Sequence, residues 1–200
     1  MVSKDKAPQL AIGFRVKTGR ATAVVIEGPP FAPRILSRRS LQLWDRAIPE
    51  SYQPWHAELE LPPAESAQVV PKALQAVERV ARSALGELVG EIRPAHSSIL
   101  GIALVTGSAT DPESIRNPHM RAHAREGRLF PHALAAAAQA MRIPAVTIVE
   151  SEVFASAAAK LGKTPGAIKL AVTEMGRVVG KPWSAEEKTA AAAAWIMLAG

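Results

Sequence analysis

Two groups of residues in this chain have types and spacings that can do chemistry. His119, His123 and Glu126 fall at i, i+4 and i+7 in Pro118-His-Met-Arg-Ala-His-Ala-Arg-Glu126. At 100° per residue, a helix places these three within about 60° of one another. Two imidazoles and a carboxylate on one helix face can ligate zinc or ferrous iron. The competing reading gives Glu126 to neighbouring arginines and leaves both histidines as ordinary surface or interface residues. The second group is acidic. Asp111 follows the apolar run Ile99–Val105, and Glu150 and Glu152 follow Ala145–Val149. Open α/β sheets take ligands beyond the carboxyl ends of their strands. Asp111, Glu150 and Glu152 are therefore the candidate catalytic residues of a metal-dependent hydrolase or nuclease. Arg116, Arg121, Arg125 and Arg128 lie in the same stretch. Arg116 and Arg121, with Asn117 and the free N–H groups of the helix it starts, can hold an anion such as phosphate. The alternative is a salt-bridged face against Asp111, Glu113 and Glu126.

The elements that must position these residues can be read in order. Residues 1–8 are expected to form a disordered tail ahead of one α/β domain over 9–200. Leu10–Val16, Ala23–Glu27 and a third strand between Pro33 and Trp44 form an antiparallel meander, turned at Lys17-Thr-Gly-Arg20. Residues 45–71 are rich in proline, which argues against a helix. They read as a surface excursion, with His56–Leu61 as a short edge strand and a homodimer contact as its expected role. A helix runs from Pro71 to Ile92 on Leu74, Val77, Ala81, Leu85, Leu88 and Ile92. Strand 99–105 is apolar enough to be covered on both faces, and strand 145–149 is again apolar. Asn117 caps a short helix that Gly127 closes, and Pro131 opens a second one to about Met141. His132 and His96 read as a surface residue and a turn residue. Ser151 caps a further helix, Thr164-Pro165 starts the next, and Ser184-Ala-Glu-Glu187 is a capping box for the last. Strands, helix, strand, helices, strand, helices implies a three-layer α/β fold. Its mixed five-stranded sheet has helices on both faces.

Composition narrows the partners. The chain has 200 residues, no cysteine and a net charge of +6. Without cysteine, disulfides and thiolate zinc are excluded. No apolar run reaches the roughly 18 residues of a membrane span, and the N-terminus lacks a signal-peptide core. A cytoplasmic protein without a membrane partner is expected. Residues 1–46 carry nine Lys or Arg against three acids. This concentrates the basic excess in the first quarter. Arg15, Lys17, Arg20, Arg38 and Arg39 are accordingly the candidate contacts for nucleic acid. The competing reading is a solvated basic face.

Leu10-Ala-Ile-Gly-Phe-Arg-Val-Lys-Thr-Gly-Arg-Ala-Thr-Ala-Val-Val-Ile26 resembles the opening strand–turn–strand of the RuvC-like Holliday-junction resolvase group, within the ribonuclease H-like superfamily. The helix–glycine–helix–strand spacing from His119 to Val149 is similar too. So are Gly162-Lys-Thr-Pro-Gly-Ala-Ile-Lys-Leu-Ala-Val-Thr173 and the alanine-rich end. The resemblance implies a ribonuclease H-like fold, nucleic acid as partner, and carboxylates holding two divalent metals against the scissile phosphate. It places the first acid at Gly13 or Phe14 and the second at Leu104 or Val105. Only Glu186 and Glu187 stand where the late acids would be, and both read as helix-start residues. A non-catalytic relative that binds nucleic acid or another anion is therefore the first expectation. A hydrolase rebuilt on Asp111, Glu150, Glu152 and the His119/His123/Glu126 face is the second. The cofactor is left open between none and a divalent metal.

Overall fold

The computed structural model describes residues 9–92 and 98–200. The expected tail and the turn at His96 lie outside them. Five strands form one sheet: β1 (Gln9–Lys17), β2 (Arg20–Glu27), β3 (Arg34–Gln42), β4 (Ser98–Thr106) and β5 (Ala145–Val149). Their order is β3-β2-β1-β4-β5. The first three form the meander, and β4 and β5 join parallel to β1. The turn at Gly19 uses positive φ (71°), which glycine adopts without penalty.

Among the described residues, six α-helices pack on the sheet or on one another beside it: α1 (Pro54–Glu60), α2 (Pro63–Ile92), α3 (Pro118–Ala140), α4 (Val153–Leu161), α5 (Pro165–Met175) and α6 (Ala185–Leu198). Strand alternation sorts the core into two layers. Ile12, Phe14, Ile102 and Leu104 meet Val77, Leu85, Phe130 and Leu134 of α2 and α3. Ala11, Val24, Ala103 and Val105 meet α4, α5 and α6. Each fully buried Leu, Ile or Phe contributes about 1.5–3 kcal/mol.

Prolines account for three departures from the expected elements. Residues 45–71 are not an irregular excursion with an edge strand. Pro49 starts a 3-10 turn, Pro54 opens α1 and Pro63 opens α2. A first-turn proline removes an N–H that would have no helical partner. Helix α2 then runs through Pro71. Likewise α3 is a single helix running through Gly127 and Pro131, not two. Pro131 cannot donate to the Gly127 carbonyl four residues back. The Thr106 hydroxyl reaches that carbonyl instead, at 3.5 Å. Burial of Phe130 and Leu134 against the sheet holds the helix together across the break. Two smaller differences follow. Ser151 lies in a 3-10 turn before α4 and does not cap it. Strand β5 is a sheet edge with Ala145, Val146 and Thr147 exposed, whereas β4 is covered from Gly101 onward. No helix among the described residues is long and apolar enough to cross a membrane.

Helix α6 makes the closest contact with the sheet. A Cβ on Gly13 would sit 1.9 Å from the Ala190 carbonyl oxygen and 2.7 Å from the Ala194 nitrogen. No side chain fits there. The capping box of Ser184 and Glu187 starts this helix over the β1–β2 hairpin. Glu186 is held there by Arg20 (2.6 and 2.8 Å), Lys17 (2.5 Å) and the Thr22 hydroxyl (2.9 Å). The Arg20 hydrogen bonds are the main reason its carboxyl lies well below the usual range. Desolvation opposes them, while Lys17 and Thr22 assist.

Three outcomes are expected. Gly13→Ala lowers unfolding stability by about 3 kcal/mol in urea titrations, the upper end of overpacking costs. Gly86→Ala, where nothing lies within 4 Å of the new Cβ, raises it by about 0.5–1 kcal/mol. Glu186→Gln costs about 1 kcal/mol at pH 7, the scale of a partly exposed ion-pair network. Because the folded carboxyl is depressed, its contribution is complete above the unfolded value near pH 4.5. The difference between wild type and Glu186→Gln therefore narrows as pH falls below that point in parallel titrations.

Candidate functional site

Four strands bring their ends to one edge of the sheet, and α3 extends beyond it. Thr106 closes β4 beside Gly127, so the nine residues Pro118–Glu126 project past the edge by roughly 13 Å at 1.5 Å per residue. The two faces of this edge carry different chemistry.

On the α6 face, alternation from Gly13 places Arg15 at the end of β1. Register sets Arg15 beside Val105, and Thr106 beside Val149. Glu150, the residue after β5, is therefore within reach. The Arg15 guanidinium donates to both Glu150 oxygens, at 2.7 and 2.5 Å. Arg15 is 6% exposed and its partner is half-exposed. Gly13, Phe14, Leu104 and Val105 offer no ligand atom. Phe14 and Leu104 point into the α2/α3 layer, and Val105 into the α6 layer. Two divalent cations need several carboxylate oxygens here. Instead, the edge holds a cation, and the nearby carboxylate is already bidentate. The residues present do not fit that metal pair.

The other candidates for nucleic-acid contact are paired within the fold as well. Lys17 and Arg20 bind Glu186, Arg38 binds Glu187, and Arg39 binds Glu91. All five basic residues named from the sequence, Arg15 included, thus have acidic partners. The basic excess of the meander is largely offset in space by Glu186 and Glu187 of α6, Glu91 of α2 and Glu150 after β5, with Lys17 and Arg20 sharing the Glu186 carboxylate.

On the α2/α3 face, the helical spacing brings His119 and His123 together, with their Nε2 atoms 3.1 Å apart. Glu126 does not join them as a ligand. Its carboxylate is fully buried and turned to α1. There Oε1 accepts from His56 Nδ1 (2.8 Å) and from the His56 backbone N–H (3.3 Å), and Oε2 from Gln53 Nε2 (3.4 Å). The third member is His56, which the proline reading had placed on an edge strand. Its ring centroid lies 4.8 Å from that of His119 and 4.3 Å from that of His123. Ligand atoms of His56, His119 and His123 all lie within 4.8 Å of one another. Among the described residues, three potential ligand side chains converge within that reach only here. Nothing in the sequence links position 56 to 119, because the pairing arises from packing of α1 on α3.

The other candidates are separate. Asp111 caps a 3-10 turn through the Glu113 N–H and reaches Arg128 at 3.5 Å. Glu152 is exposed at the start of α4. Asn117 Oδ1 is engaged as the α3 cap, accepting from Met120 N. Arg125 pairs with Glu113 and, at 3.7 Å, with Glu58. The expected salt-bridged face therefore forms for Arg125 and Arg128. Arg121 donates to the Arg116 carbonyl at 3.2 Å, and its Nε is buried without a partner. Arg116 is exposed.

No family model matches the chain, and no curated protein matches its sequence. Solved structures do match its fold. One is RuvC of T. thermophilus in complex with Holliday junction substrate. It has a TM-score of 0.55 and 13% identity, covering 94% of this chain and 91% of that one. A second structure of Thermus thermophilus RuvC has the same score and identity, covering 94% and 92%. At this identity the likeness concerns architecture, and it establishes that the chain has a RuvC-like, ribonuclease H-like fold.

Proposed function

We propose that this chain is a nucleic-acid-binding protein on the RuvC-like fold and that it is not a two-metal nuclease. The bidentate Arg15–Glu150 pair carries this reading. A hard divalent cation at the strand ends would have to displace a guanidinium from both carboxylate oxygens while lying beside its positive charge. Gly13 cannot regain an acid without moving α6.

Binding is supported by the net charge of +6 and by the fold shared with RuvC, whose complex holds a Holliday junction. Arg116 and Arg121 are the cations best placed for phosphate. They flank the start of α3 beyond the sheet edge, and neither has an acidic partner among the described residues. The hairpin cations contribute less, because Glu186, Glu187, Glu91 and Glu150 offset them.

Fluorescence anisotropy with four-way junction, duplex and single-stranded DNA tests this. Binding is expected at low salt and weakens as salt rises, and Arg116→Ala with Arg121→Ala lowers the salt slope by about 1–2. Arg39→Ala leaves the slope unchanged. No binding at low salt removes nucleic acid as the partner. With Mg²⁺ or Mn²⁺ the same substrates stay intact. Cleavage that disappears in Glu150→Gln would overturn the non-nuclease reading.

A further inference from the structure

We infer that His56, His119 and His123 form a binding site for one late divalent transition-metal ion, zinc in the first instance, with Glu126 as the carboxylate that orients His56. The site is independent of the strand-end carboxylates and of nucleic-acid binding.

The hydrogen bonds of His56 fix its tautomer. The buried Glu126 carboxyl needs its oxygens satisfied, and its close partner is His56 Nδ1 at 2.8 Å. Nδ1–H therefore donates, and the acceptor lone pair lies on Nε2. That atom is buried, and no hydrogen-bond partner reaches it. Buried polar atoms in folded proteins are satisfied in the great majority of cases. Two more imidazoles lie beside this ring, with centroids 4.8 and 4.3 Å from its own.

A hydrogen bond between His119 and His123 accounts for their 3.1 Å contact but leaves His56 Nε2 without a partner. A cation accounts for all three nitrogens. Tetrahedral zinc with Zn–N bonds of about 2.0–2.1 Å sets ligand nitrogens about 3.3–3.4 Å apart. The His119–His123 spacing is close to that, and the whole cluster needs only small closure from 4.8 Å. A dication also supplies positive charge to Glu126, which is fully buried and has no Lys or Arg partner among the described residues. Carboxylate, histidine and metal in line is the usual support for a histidine ligand.

Ligand chemistry selects the ion. Three neutral imidazoles suit Zn²⁺, Co²⁺ or Ni²⁺ and disfavour Mg²⁺ and Ca²⁺, which require oxygen. His119 and His123 are exposed, so one coordination position remains open to solvent. The ion would also join α1 to α3, adding to the direct polar links made by Glu126 with His56 and by Arg125 with Glu58.

The test uses the full chain, prepared without a histidine tag and stripped with chelator. Calorimetric titration with Zn²⁺ is expected to show one ion per chain at about micromolar affinity or tighter. Co²⁺ should give the strong visible bands of four-coordinate cobalt, with excess Mg²⁺ unable to compete. His119→Ala and His123→Ala, both at exposed positions, should abolish saturable binding without loss of fold by circular dichroism. Glu126→Gln should weaken it by about 10–100-fold. His132→Ala should leave it unchanged. Absence of saturable binding, persistence of binding in both His119→Ala and His123→Ala, or only the weak bands of six-coordinate cobalt would overturn the proposal.

Discussion

The contact between α6 and the middle of β1 constrains this structure most tightly. The sheet and the helix approach until the Ala190 carbonyl occupies the place of a missing side chain on Gly13. Only glycine on the strand and alanine on the helix allow that separation. Ala190–Ala194 are all fully buried, although methyl groups hide little area each. The gain comes from close backbone packing in place of large side chains. Helices α4 and α5 pack on α6 in turn, so the whole layer takes its position from this contact. The first turn of α6 lies over the hairpin for the same reason, which puts Glu186 among Lys17, Arg20 and Thr22.

The constraint reaches the carboxyl edge two residues later. Alternation turns Arg15 to the same face as Gly13, where Glu150 meets it. This edge of the sheet consequently carries a neutral guanidinium–carboxylate pair on its α6 side. On its other side, α3 extends past the strands and carries two histidines over a buried glutamate, and α1 supplies the third. Both arrangements depend on parallel register between β1, β4 and β5, which sets where each strand stops. One sheet edge thus presents two chemically distinct environments separated by the strands themselves.

Proline and glycine mark what a local reading could and could not recover. Pro118 and Pro165 were legible as helix starts because Asn117 and Thr164 precede them with capping side chains. Pro54 and Pro63 serve the same purpose, but Gln53 and Pro62 give no capping signal, and a cluster of prolines reads as a loop. Gly127 and Pro131 are both helix breakers by local rules, yet α3 continues through them. Thr106 takes up the freed carbonyl, and Phe130 and Leu134 are buried on the sheet. The apolar run 145–149 reads as a covered strand, but its place at the sheet edge leaves Ala145, Val146 and Thr147 exposed. In each case the outcome depends on what packs against the segment, which local chemistry does not specify.

The sequence by itself determined the order of the five sheet strands, the placing of helices on both faces, the capping box at Ser184 and the one-face placement of His119 and His123. These depend on periodicities of two and 3.6 residues and on hydrogen bonds that close within four residues, so they are written locally. It also showed the absence of acids at Gly13, Phe14, Leu104 and Val105. Only the tertiary structure decided that the basic meander is largely offset, because its acidic partners lie on other elements 52 to 166 residues away. It alone turned the Glu126 carboxylate away from the His119/His123 pair to α1 and placed His56 beside the two imidazoles. The angular estimate was sound, but Glu126 lies two turns along the axis from His119, roughly 10 Å. What it meets there is set by the helix packed against it, and no spacing along one chain segment encodes the identity of that neighbour.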